Sequence, residues 1–305
     1  MKFINKIFSK DTKTVICPDN ILVGEEFFFN GASYLVVDDK TIRKNLNRSE
    51  TLCTTFVTDM SNLFIFKSSF NADISHWDTS NVISMRGMFL WCKAFNCDLS
   101  LWDTSHVLDM SHMFGYALDF NQDISLWDTG NCIDMSYMFE GAISFNQDLG
   151  KWDVRSVKTI EGIFKEALVF NGEVDSWDFK VLTNTSSAFM GARIFNRSLS
   201  RWNMSMVEDS SKMFKWATNF NQDIQKWKTN KLVDAHEMFC HSESFNCNLS
   251  TWDVGLLKNA RQMFFNAISF CGDLSAWKLP NLINATYFAK GSAILKVSNK
   301  IAVKM

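Results

Sequence analysis

Residues 120–145, FNQDISLWDTGNCIDMSYMFEGAISF, recur almost position for position when the sequence is shifted by 25. Tryptophan shows it most plainly: Trp77, Trp102, Trp127, Trp152, Trp177, Trp202, Trp227, Trp252 and Trp277 stand 25 apart without a slip. Phenylalanine keeps the same step from Phe70 to Phe270 and again from Phe64 to Phe264. A fixed period between about 20 and 50 residues marks a solenoid, in which each unit stacks only on its neighbours. The register runs from Val57 to Ser292 of a 305-residue chain, so one array is expected where length alone would suggest two domains.

Within each unit the apolar residues of VLDMSHMF fall at Val107, Met110, Met113 and Phe114. That spacing is helical, with one stripe facing inward, and the preceding Thr, Ser or Asn reads as an N-terminal cap. The other half of the unit is too short for a second helix, so Asp123 to Trp127 and its equivalents read as one short parallel strand per coil. The expected fold class is therefore an α/β repeat, a leucine-rich-repeat-like solenoid with one short strand and one short helix in each 25-residue coil.

The ends depart from the repeat. Residues 1–56 read as a β-rich N-terminal cap, with strands at Thr14–Cys17, Ile21–Val23, Glu26–Asn30 and Ser33–Val37 and a short helix over Asp39–Leu46. Asn30-Gly31 between apolar runs is a strong hairpin signal. The array then spans 57–292 as nine repeats and a partial tenth, and 293–305 alternates like a closing strand. Both ends of a stack expose an apolar face and an open edge that must be covered.

A hydrophobic fraction of 47% and a net charge of −2 give no general drive toward nucleic acid or anionic membrane. Neither a signal peptide nor an apolar run of about 18 residues is visible, which points to an intracellular protein or a virion component without membrane insertion. The eight cysteines form no CxxC pair and read as free thiols; no Ser/His/Asp order, phosphate loop or HExxH suggests an enzyme, a cofactor or a metal.

The joint motif FNQDISLWDTGNCIDMSYMFEGAISFNQDL resembles the repeats of the BspA-like leucine-rich-repeat superfamily, of the type found in mycoplasma surface lipoproteins and in proteins of large DNA viruses and protists. The resemblance covers Val57 to Ser292. It implies binding, adhesive or structural roles and carries no catalytic residues over. Bacterial members usually bear an export signal or lipidated cysteine; without either, the expected setting shifts to an intracellular or viral member.

Several rows remain to be assigned. Asn71, Asn96, Asn121 and Asn146 begin a ladder expected to turn inward and satisfy backbone groups of its own and the next coil. Asp after Trp suits Asx turns better than a calcium row, because Lys228 and Lys278 interrupt it. The variable slot before Trp is expected to face outward and to carry a cationic stretch at Lys151, Arg201 and Lys226. Off-ladder Trp91, Tyr116 and Trp216, near the expected helix end, are candidate interface anchors. The expected function is a non-enzymatic scaffold whose partners are other proteins. The alternatives are a structural part of a large assembly such as a virion of a large DNA virus and, third, a calcium-binding or adhesive surface protein.

Overall fold

Every ladder tryptophan is at most 4% exposed, and each indole N–H reaches the backbone of the preceding coil: Trp127 Nε1 donates to Leu99 O at 3.0 Å and Trp152 Nε1 to Ile124 O at 3.0 Å. A buried indole must find an acceptor, and here the acceptor lies 28 residues back in sequence. One side chain thereby fills the core and pins two coils together. The architecture is that of a computed structural model, which describes residues 13–294 together with the backbone of 2–3 and 296–297.

The rings form continuous columns. Trp77 and Trp102 lie 6.4 Å apart at 4°, and Trp152 and Trp177 6.3 Å apart at 4°. Within a coil Phe114 stacks on Phe120 at 3.8 Å; between coils it meets Phe139 at 5.7 Å. Val107, Met110, Met113 and Phe114 are all fully buried, as are their equivalents in neighbouring coils.

The backbone carrying those residues is not a helix. Among the described residues there is no α-helix, and the expected helix of each coil is replaced by a zigzag in which alternate N–H groups leave for the next coil. Met110, His112, Phe114 and Tyr116 donate to Asp134, Ser136, Met138 and Glu140 at 3.0, 2.8, 2.9 and 2.6 Å. The N–H groups between them turn back three residues: Met113 to Met110 O at 3.2 Å and Gly115 to His112 O at 3.0 Å. A helix would consume every N–H along its own axis and leave adjacent coils joined by side chains alone. The alternation is made by left-handed residues four apart, with φ of 57° at His112 and 54° at Tyr116, and it recurs in the neighbouring coils. Left-handed backbone costs a non-glycine residue about 1–2 kcal/mol. Each inter-coil bond returns a similar amount, and leaving a buried N–H unpaired would cost as much again.

The strand is displaced too. The one parallel bridge per coil falls in the segment read as helical, at Asp59↔Ser84, Ser84↔Asp109 and onward to Asn259↔Asn284. Residues 123–127 instead turn, with Asp123 Oδ1 accepting Ser125 N–H at 2.9 Å and Trp127 N–H closing on Ile124 O at 3.2 Å, and of their equivalents among the described residues only Asp273–Leu274 forms a strand. The asparagine ladder exists but faces outward: Asn96, Asn121 and Asn146 are exposed, and each Oδ1 accepts the backbone N–H of the next rung, as from Asn121 to Asn96 at 3.0 Å and from Asn146 to Asn121 at 2.9 Å.

At the N-terminal end the elements are β1 (Lys2–Phe3), β2 (Glu26–Phe29), β3 (Ala32–Asp38) and β4 (Leu52–Phe56), in the sheet order β1-β2-β3-β4. β2 and β3 form the hairpin across Asn30-Gly31, and β3 pairs in parallel with β4. Residues 14–17 and 21–23 are not strands; Val15 N–H bonds to His76 O at 2.8 Å and so runs against the first coil. Two 3₁₀ turns, Ile42–Lys44 and Leu46–Thr51, stand where a short helix was expected over Asp39–Leu46. β5 (Asp273–Leu274) pairs in parallel with β6 (Lys296–Val297); most of the closing strand expected over 293–305 lies outside the described residues. Cys92, Cys132 and Cys240 are buried, whereas Cys97, Cys247 and Cys271 are half-buried.

Trp152→Ala should cost about 4 kcal/mol, because it opens a cavity shared by adjacent coils and removes the bond to Ile124 O. Urea denaturation beside Trp216→Ala, whose side chain is 44% exposed and should cost under about 1 kcal/mol, checks the contrast.

Candidate functional site: an apolar groove between two aromatic ends

The left-handed backbone at positions 116, 141, 166, 191 and 216 lines one edge of the solenoid, and a groove of about 760 Å³ opens beside it. Leu118, Ile143 and Leu168 form its aliphatic wall, while Tyr116 and Trp216 close its ends. Gly141 and Gly191 occupy the left-handed slot along it, and the Tyr116 ring lies where a side chain on Gly141 would begin.

Both ends are fixed by buried carboxylates. Tyr116 stacks on Trp91 at 4.0 Å and 5°, and its hydroxyl donates to Glu140 Oε1 at 3.1 Å. Glu140, only 8% exposed, also receives Lys165 Nζ at 2.8 Å. Burial and the Glu140 charge push the Tyr116 phenol up to about 12, so it stays a neutral donor. At the other end Lys215 Nζ lies 4.5 Å from the centre of the Trp216 ring and bonds Glu237 Oε2 at 2.5 Å. Glu237, 6% exposed, takes Arg261 Nη2 at 2.5 Å as well. The buried carboxylate orients the aromatic side chain directly at Tyr116, and at Trp216 only through the Lys215 ammonium that it holds.

The structure thus brings Trp91 and Tyr116 into contact and places Tyr116 and Trp216 on one groove, coils apart. Lys151, Arg201 and Lys226 are exposed, and none of them lines the groove. Their row is not uniformly cationic in its surroundings: Arg201 Nε lies 3.6 Å from Asp175 Oδ2, and Asp123 is held below the usual carboxylate range by the Ser125 N–H and hydroxyl, with Lys151 adding to the effect. Sequence reasoning missed Gly141, Gly191, Leu118, Ile143 and Leu168. The signal was present as the aliphatic row Leu118, Ile143 and Leu168 at 25-residue steps beside a slot that reads Tyr116, Gly141, Glu166, Gly191 and Trp216.

A family model matches this repeat three times, over residues 33–131, 98–202 and 183–300. The chain belongs to the family described as "Mycoplasma protein of unknown function, DUF285". The matches overlap along the array, as a model spanning several coils must when the coils are equivalent. The DUF285 description carries no enzymatic activity. A search of curated proteins finds no match. Among solved structures, one described as "Crystal structure of TLR13-ssRNA13 complex" is similar at 9% identity and a TM-score of 0.28, over 87% of this chain and 46% of that one. The DUF285 chain therefore spans under half the length of that protein. Among the described residues no helix is long and apolar enough to cross a membrane.

Gly141→Ala and Gly191→Ala should differ sharply. A Cβ at Gly141 would sit 2.5 Å from Tyr116 Cδ1 in a backbone at φ +64°, whereas at Gly191 the nearest atom is Glu166 Cγ at 3.4 Å. The first should cost about 2–3 kcal/mol and loosen the Trp91–Tyr116 stack, the second about 1 kcal/mol. Equilibrium unfolding with tryptophan fluorescence reads both effects.

Proposed function

We propose that the chain is a non-enzymatic protein-interaction scaffold whose docking site is the Tyr116–Trp216 groove, and that its occupant is an extended, mainly apolar peptide segment of another protein. The observation behind this reading is an aliphatic wall between two aromatic ends, Tyr116 bonded to the buried Glu140 and Trp216 beneath the Lys215 ammonium that Glu237 holds. Tyrosine and tryptophan held in place give contact area at small entropic cost, the usual makeup of a binding hot spot. Glu166 and Arg193 also line the groove, exposed and, among the described residues, without ion pairs; they set the register of a bound segment. Kinship with the BspA-like leucine-rich-repeat superfamily belongs to the same proposal. So does the division into a cap over 1–56, an array over 57–292 and a closing segment over 293–305.

Selection from a library of displayed random peptides of about ten residues tests it. Apolar sequences should be enriched, and their binding should fall about tenfold or more with Leu168→Arg while Lys226→Glu leaves it unchanged. No enrichment, or binding indifferent to Leu168→Arg, would overturn the reading.

A further inference from the structure

Two of the eight cysteines meet in the N-terminal cap. Cys17 lies in the segment that runs against the first coil, and Cys53 lies in β4. Thr55 joins them: its Oγ1 accepts the Cys17 N–H at 3.0 Å and stands 3.6 Å from Cys53 Sγ. The same hydroxyl donates to Asp78 Oδ2 at 2.7 Å, which fixes it on the first coil. Cys53 Sγ also reaches back to Val15 O at 3.5 Å. Both cysteines are buried, 9% and 0% exposed, in a small apolar cluster with Val15, Ile21, Phe27 and Val36, apart from the core of the array. There the two thiols are hydrogen-bonding neighbours.

From this we infer that Cys17 and Cys53 are the site of an intramolecular disulfide, which closes in an oxidising setting and fastens the cap to the first coil. The first coil has no earlier coil to stack on, so the cap is its cover. In the dithiol form the segment holding Cys17 is tied by single bonds such as Val15 N–H to His76 O at 2.8 Å. A Cys17–Cys53 bond encloses β2, β3 and both 3₁₀ turns in one covalent loop, and such a loop narrows the unfolded ensemble. Oxidised glutathione is a sufficient oxidant. The Cys17 thiolate attacks one glutathione sulfur and expels a glutathione thiolate; the Cys53 thiolate then attacks Cys17 Sγ of the mixed disulfide and expels the second. The two cysteines give up two protons and two electrons, and one glutathione disulfide becomes two glutathione thiols. Cys17 is the point of entry because it is the less buried of the pair. Burial, and then the adjoining Cys53, push its thiol up to about 12, and burial raises the Cys53 thiol as well, so closure is slow at neutral pH and quickens as pH rises. Neither cysteine lines the Tyr116–Trp216 groove, so this site stands or falls apart from the peptide-binding reading.

Oxidation of the full-length protein tests the inference. Reduced protein is held in oxidised glutathione at about pH 7.5 and about pH 8.5, alkylated, digested with trypsin and read by mass spectrometry. A cross-link between residues 14–40 and 49–67, which carry Cys17 and Cys53, should accumulate, and about tenfold faster at the higher pH. The oxidised protein should melt about 5 °C above the reduced one, and dithiothreitol should return it to the reduced value. Cys17→Ser should form no such link, and oxidant should leave its melting temperature where it was. Two peptides that stay unlinked at both pH values would overturn the inference. So would a link that leaves the melting temperature of the parent unchanged or lowers it.

Discussion

Everything in this solenoid depends on where the backbone N–H groups of Met110, His112, Phe114 and Tyr116, and of their equivalents, find acceptors. They lie around a core packed so tightly with Trp, Phe and Met that water cannot serve them. Sending alternate N–H groups to the next coil solves the problem and at the same time makes stacking obligatory. A lone coil would leave those donors unpaired in an apolar setting, so the repeats stabilise one another rather than adding as independent units. The indole bonds, such as Trp127 to Leu99 O, repeat the logic with a side chain and the asparagine rungs repeat it at the surface.

The same backbone creates the groove. A left-handed residue directs its side chain to the edge of the stack, so the residue in that slot decides locally what stands there. Tyr116 and Trp216 project as walls; Gly141 lets the Tyr116 ring lie over its backbone, and Gly191 does the same for the Glu166 side chain. Left-handed conformations that cost free energy in the fold thus position the surface on which a partner is proposed to dock.

The burial of the Trp and Phe ladders and of the inward stripe at Val107, Met110, Met113 and Phe114 was legible, because burial follows residue type and period. The backbone beneath the stripe was not. Its spacing matches a helix, and the residues holding it left-handed include His112, Tyr137 and Trp216, which give no local sign of that conformation. Only a demand that arises between coils selects it, and a periodicity read within one coil cannot express that. Likewise Trp91, Tyr116 and Trp216 stood out as off-ladder aromatics, whereas the groove, with Gly141 and Gly191 in its left-handed slot, did not. The outward slot at Lys151, Arg201 and Lys226 was readable as exposed, but the carboxylates beside it belong to a neighbouring row that only the coil geometry brings alongside.

Through-hydrogen-bond scalar couplings in a deuterated, isotope-labelled sample address the backbone directly. The account predicts couplings from the amide nitrogens of Met110, His112, Phe114 and Tyr116 to the carbonyl carbons of Asp134, Ser136, Met138 and Glu140 in the next coil. Couplings running four residues back within the same coil, as from His112 to Leu108, would mean that the segment is a helix and would contradict it.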